Sequence, residues 1–113
     1  MSSRIEAEGQ CLCGAVKAKV KAMSKEVGVC HCDMCRKWAG APFIGVDCQN
    51  DILFEGQEYI KIYHSSDWAE RGFCSKCGTH LFYHLKAQDQ YIVPVGLFCY
   101  ASVEIGHITF FLS

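Results

Sequence analysis

Seven of this chain's nine cysteines fall into three short clusters: Cys11-x-Cys13, Cys30-x-Cys32-x-x-Cys35 and Cys74-x-x-Cys77. One or two residues between thiols let both sulfurs face a point about 2.3 Å away, the Zn–S distance. Four sulfurs close a tetrahedron, and three leave a corner open. Two pairs and one triplet in 113 residues therefore predict turns tied at two zinc centres per chain, one closed and one open. A chain of this length builds one small core, expected as a single domain over residues 1–113, and a structural metal adds folding energy that such a core lacks.

A secreted disulfide scaffold is the competing reading of so many cysteines. Clustered pairs suit metals better than bridges, the count is odd, and the opening Met1-Ser2-Ser3-Arg4-Ile5-Glu6 has no apolar leader. The expectation is a cytoplasmic protein whose thiols stay reduced. The apolar stretch at 92–103 is too short to span a bilayer and contains Pro94 and Gly96, so no membrane partner is expected. Formal net charge is -1 with no basic run, which argues against nucleic acid. Thiolates change that balance: a four-sulfur zinc site carries about −2 and a three-sulfur one about −1. Arg36, Lys37, Arg71 and Lys76 stand beside the clusters and offset this locally.

Period two dominates the rest. Residues 16–22 alternate strictly between apolar side chains and Lys17, Lys19 and Lys21, predicting a strand with one core face and one solvated face. Residues 5–10 are expected to pair with it through a turn at 11–14. Gly14 follows the second sulfur, where positive φ turns N–H groups toward thiolates. Further strands are expected at 26–32, 43–47, 52–55, 59–64, 79–85 and 91–95, with a loop at 65–67 and a knuckle at 74–78. Residues 33–39 read as a short helix after the triplet, with Asp33 as N-cap and Gly40 as stop. The chain ends at 108–113 in a strand-like run rather than a polar tail, so either a truncation or an early end is expected. The sum is a mainly β domain of short strands tied by metal.

Cys74-x-x-Cys77-Gly78 is a zinc knuckle needing two more ligands. Cys11 and Cys13 are its natural partners, because the other cluster already supplies three. A redox pair would prefer a helix N-terminus in a βαβ setting, which is absent here. In the triplet, Cys30 and Cys32 share one side of a strand and a helical turn returns Cys35 to them, while His31 points away. Two readings stay open. Either Cys48, Cys99 or a distant histidine closes a second structural site, or the fourth place belongs to an exchangeable water or thiol. Cys48 and Cys99 otherwise read as small core residues, with Cys99 as a redox nucleophile the sharper alternative. His64, His80, His84 and His107 share no spacing that specifies a site.

At these motifs the chain closely resembles the glutathione-dependent formaldehyde-activating (GFA) family. The resemblance lies in Gly9-x-Cys11-x-Cys13-Gly14-Ala15-Val16, Cys30-His31-Cys32-x-Met34-Cys35-Arg36-Lys37, Ser65-Ser66 and Arg71-x-Phe73-Cys74-x-x-Cys77-Gly78-Thr79-x-Leu81-Phe82. It implies a β-tent (Mss4-like) fold of short coiled antiparallel sheets. It implies structural zinc on Cys11, Cys13, Cys74 and Cys77, and a second zinc on Cys30, Cys32 and Cys35 that also takes a glutathione sulfur or water. The implied activity is that of a carbon–sulfur lyase joining a small thiol such as glutathione to an aldehyde, as S-(hydroxymethyl)glutathione. Where family members carry an acidic turn and an Asp-Pro-like element after the Val-Gly, this chain has Leu97-Phe98-Cys99-Tyr100-Ala101.

The chemistry expected of the open site is thiol presentation: zinc holds a thiolate near neutral pH for addition to a carbonyl. Arg36 is the expected contact for an anionic group of the thiol, with Lys37 beside it. Two other classes compete. One is a non-catalytic zinc-stabilised interaction module; the other is a methionine-sulfoxide-reductase-like enzyme, which needs a reactive Cys48 or Cys99.

Overall fold

The computed structural model describes residues 4–24, 26–98 and the strand at 109–112. Its strands in chain order are β1 (Arg4–Gln10), β2 (Lys17–Ser24), β3 (Glu26–Cys30), β4 (Phe43–Asp47), β5 (Ile52–Glu55), β6 (Ile60–Tyr63), β7 (Ala69–Cys74), β8 (His80–Leu85), β9 (Gln90–Pro94) and β10 (Thr109–Leu112), with one helix, α1 (Asp33–Ala39). The mainly β expectation holds. The lysine alternation becomes β2, with Lys17, Lys19 and Lys21 exposed and Ala18 and Val20 buried. The period-2 pattern therefore fixes which face packs.

β1 pairs antiparallel with β2, and β2 with β5, giving a three-stranded sheet. The other seven strands form a second sheet in the order β10-β3-β4-β9-β8-β7-β6. Its ladders are antiparallel, as expected, with β10 on β3 as one parallel pair. Both sheets feed one apolar cluster, in which Val16, Val20 and Met23 meet Val27, Val46, Leu81 and Val93.

Local expectations are adjusted at three places. β3 stops at Cys30, not at residue 32, because Cys32 is the N-cap of α1. The cap is a sulfur and not the Asp33 carboxylate: Cys32 is extended (φ -63, ψ 159) and its Sγ accepts the Cys35 N–H at 3.3 Å. Gly40 ends the helix at φ 78 as expected. Secondly, β7 occupies residues for which the sequence suggested no strand. Its burial, with Ala69, Arg71, Gly72 and Cys74 inside, does not alternate. Thirdly, Gln57–Tyr59 and Val95–Phe98 are short 3₁₀ turns at the margins of expected strands.

Candidate metal centres

The turn between β1 and β2 carries Cys11 and Cys13, and the turn between β7 and β8 carries Cys74 and Cys77. These turns belong to different sheets, yet the four sulfurs lie within 4.8 Å of one another. Cys11 Sγ is 3.6 Å from Cys13 Sγ, which is 3.8 Å from Cys74 Sγ. The edge of a tetrahedron with 2.3 Å Zn–S bonds is about 3.8 Å, so the donor set fits a thiolate-bound zinc in chemistry and in spacing. The two turns are built alike. Gly14 N–H bonds Cys11 O at 3.1 Å and Gly78 N–H bonds Cys74 O at 2.8 Å. Positive φ at Gly14 (80) and Gly78 (79) permits both. Backbone N–H groups then point at sulfur, Val16 to Cys11 at 3.3 Å and Lys76 to Cys74 at 3.4 Å.

Thr79 joins the two turns: its hydroxyl oxygen accepts the Leu12 N–H at 3.0 Å and lies 3.1 Å from Cys77 Sγ. Burial alone would raise the Cys77 thiol, but the Thr79 hydroxyl and N–H outweigh it and hold it down at about 5.

The second cluster sits where β3 passes into α1. Cys30, Cys32 and Cys35 bring their sulfurs within 4.8 Å, half-buried, exposed and buried respectively. The residues therefore fit a three-sulfur metal site that opens to solvent on the Cys32 side. Among the described residues no fourth Cys, His, Asp or Glu joins them. Cys48, one candidate to close the site, is fully buried in the core and its Sγ donates to Val46 O. Burial and the Asp47 charge push its thiol up to about 12, and a thiol so enclosed fits the small core residue expected at this position. Cys99 and His107 lie outside the described residues. His31 is exposed, and His64 and His84 gather on Glu70 instead, at 3.5 and 3.0 Å.

The surroundings of the triplet are less symmetric than the sequence suggests. Arg36, expected to contact a substrate anion, is exposed and pairs with Asp33 on its own helix. The buried cation is Arg71, 3% exposed, on β7. Both its terminal nitrogens lie 3.8 Å from Cys35 Sγ. Its guanidinium carbon lies over the Trp38 ring, 4.8 Å from the centroid, and over the Tyr83 ring, at 4.6 Å. Burial pushes Cys35 up to about 12, Cys30 and Cys32 add to this, and Arg71 opposes it. Cys32 is lowered, first by the Cys35 N–H. In the sequence Arg71 stands among four charges beside the clusters and opens the Arg71-x-Phe73-Cys74 motif; neither feature points to Cys35.

Against known proteins, the family model for the glutathione-dependent formaldehyde-activating enzyme matches residues 6–106. The chain belongs to the GFA family. Among curated relatives it is 35% identical over 94 residues to an uncharacterized lyase of Schizosaccharomyces pombe, covering 82% of this chain and 69% of that protein. It is 32% identical over 84 residues to a putative glutathione-dependent formaldehyde-activating enzyme of Halomonas elongata, covering 66% of this chain and 54% of that one. A crystal structure of a Rhodobacter sphaeroides protein shares the fold, with a TM-score of 0.70 at 23% identity over 92% of this chain and 99% of that one. Among the described residues no helix is long and apolar enough to cross a membrane.

Proposed function

We propose that this GFA-family chain is a single-domain, zinc-dependent carbon–sulfur lyase of the cytoplasm that makes or cleaves the adduct of a small thiol, such as glutathione, with an aldehyde. The observation that carries the reading is the graded triplet. Three sulfurs converge with Cys35 buried and Cys32 exposed, and no fourth ligand joins them among the described residues. Cys11, Cys13, Cys74 and Cys77 would hold a structural zinc, and Cys30, Cys32 and Cys35 the functional one. Bound there, zinc supplies the positive charge that keeps a thiol ionised near neutral pH.

The chain's own residues supply position. Cys35 anchors the cluster from inside, and α1 orients Cys32 through its capping bond. The exposed Cys32 side leaves a path for the substrate thiol. The thiol gives its proton to solvent, the sulfur lone pair so freed forms the bond to the aldehyde carbon, the C=O π pair moves to oxygen, and oxygen takes a proton back from solvent. The reverse sequence expels the aldehyde. Arg36, next in the chain to Cys35, would contact a carboxylate of the thiol on leaving its exposed pair with Asp33, a pair of low worth.

Exchange NMR on ¹³C-formaldehyde and glutathione tests this directly. The zinc-loaded protein should accelerate formation and breakdown of the hydroxymethyl adduct, and Cys32→Ser should abolish the acceleration. Exchange at the uncatalysed rate would refute the lyase assignment. A protein-interaction role has one observation in its favour: Ile62, Tyr63 and Trp68 are exposed on β6, the edge strand, and the loop after it. Alanine substitution at Tyr63 and Trp68 separates the roles, since adduct exchange should survive it.

A further inference from the structure

Arg71 is charged under all relevant conditions, and burying a cation is costly unless something compensates it. Among the described residues no carboxylate lies within ion-pair distance of it. What it meets is Cys35 Sγ, 3.8 Å from each terminal nitrogen, and the rings of Trp38 and Tyr83. Aromatic faces attract a guanidinium weakly, but they do not neutralise it. The two-pronged approach to one sulfur is the geometry by which arginine reads an anionic acceptor. The compensating charge therefore belongs to the cysteine triplet.

We propose that Arg71 is the positioning residue of the triplet: it is the fixed countercharge that orients Cys35 as a ligand and allows the centre to accept a further anionic sulfur. This rests on the reading that the triplet holds a metal. Three thiolates on a divalent ion leave about one negative charge, and an incoming thiolate would double it. A buried guanidinium beside Cys35 offsets that added charge where solvent screening is weak. Arg36 is too exposed to do so, being 56% accessible at its side chain and paired with Asp33. Cross-strand pairing sets the position, since Arg71 sits opposite Tyr83 in the β7–β8 ladder and Tyr83 provides one of the two rings. Lysine could carry the charge there but could not fork onto the sulfur.

The test uses zinc-loaded and cobalt-substituted protein, with wild type, Arg71→Gln and Arg71→Lys. Chelator competition should show two classes of site in the wild type. In Arg71→Gln the triplet should bind zinc about 10–100-fold more weakly, the usual cost of removing a ligand's outer partner, while the four-cysteine site keeps its ion. The sulfur-to-cobalt charge-transfer band of the triplet should shift, and glutathione should bind more weakly at matched metal content. Arg71→Lys should fall between the two. If Arg71→Gln does not fold, Arg71→Lys decides alone, with a several-fold loss expected at the triplet. Unchanged affinity, cobalt spectrum and thiol binding in whichever folded variant is measured would overturn the role of Arg71. Equal weakening at both metal sites would also overturn it, as a merely structural effect. A wild type that binds metal only at the four-cysteine site would refute the metal reading itself, before any variant is compared.

Discussion

His80 shows how the triplet's neighbourhood restrains a residue without chemistry of its own. Its ring stacks on Trp38 at a centroid distance of 4.1 Å. Burial, and then the Arg71 charge, lower its pKa from the usual 6.5. The folded state therefore resists a proton that the unfolded chain accepts. The stability that neutral His80 supports is fully present above the unfolded pKa and is lost as pH falls toward the folded value. His80→Phe keeps a stacking ring and removes the titration. Urea midpoints between about pH 7.5 and 5 should fall less steeply for the variant than for the wild type. Parallel curves would show that His80 carries none of the acid sensitivity.

Among elements, β7 touches both clusters, through Arg71 beside Cys35 and through Cys74, and was the hardest to see. It carries Arg71, Gly72 and Cys74 in six residues and pairs with β6 and β8. A Cβ at Gly72 would lie 2.3 Å from Phe82 Cζ, so the Phe82 ring lies directly over the backbone. Gly72→Ala should cost about 1–3 kcal/mol by overpacking, read as a lower denaturant midpoint at unchanged slope. No loss would mean that Phe82 moves aside freely. The sequence concealed β7 because it buries both faces, and a buried arginine and glycine break the alternation that exposed β2. The lysine row of β2 and the three cysteine clusters were legible, since each rests on spacing within a few residues. The Cys32 cap was not: Asp33 is the better cap by composition, but the sulfur is held at the helix start by the cluster. The Cys35–Arg71 contact spans 36 positions, and no local pattern encodes it.

At the scale of the molecule, the two cysteine clusters differ in what they join. Cys11 and Cys13 belong to the three-stranded sheet, and Cys74 and Cys77 to the seven-stranded one. A metal there ties the sheets across 61 positions of chain. The triplet lies within one local segment and ties β3 only to α1. Cys74→Ser should therefore unfold or aggregate the protein, because metal binding at a structural site is folding energy. Cys32→Ser should leave far-UV circular dichroism near wild type and lower only the metal content. Equal melting of both variants would show that the division into structural and functional centres is wrong.

On this reading the triplet is a zinc site with a place for an external thiol. Elemental analysis combined with zinc-edge X-ray absorption, with and without glutathione, tests it most directly. The account predicts two zinc ions per chain, with the mean sulfur coordination rising from about 3.5 to about 4 per zinc when glutathione is added. One zinc per anaerobically purified chain, or a sulfur count that does not respond to millimolar glutathione, would contradict it.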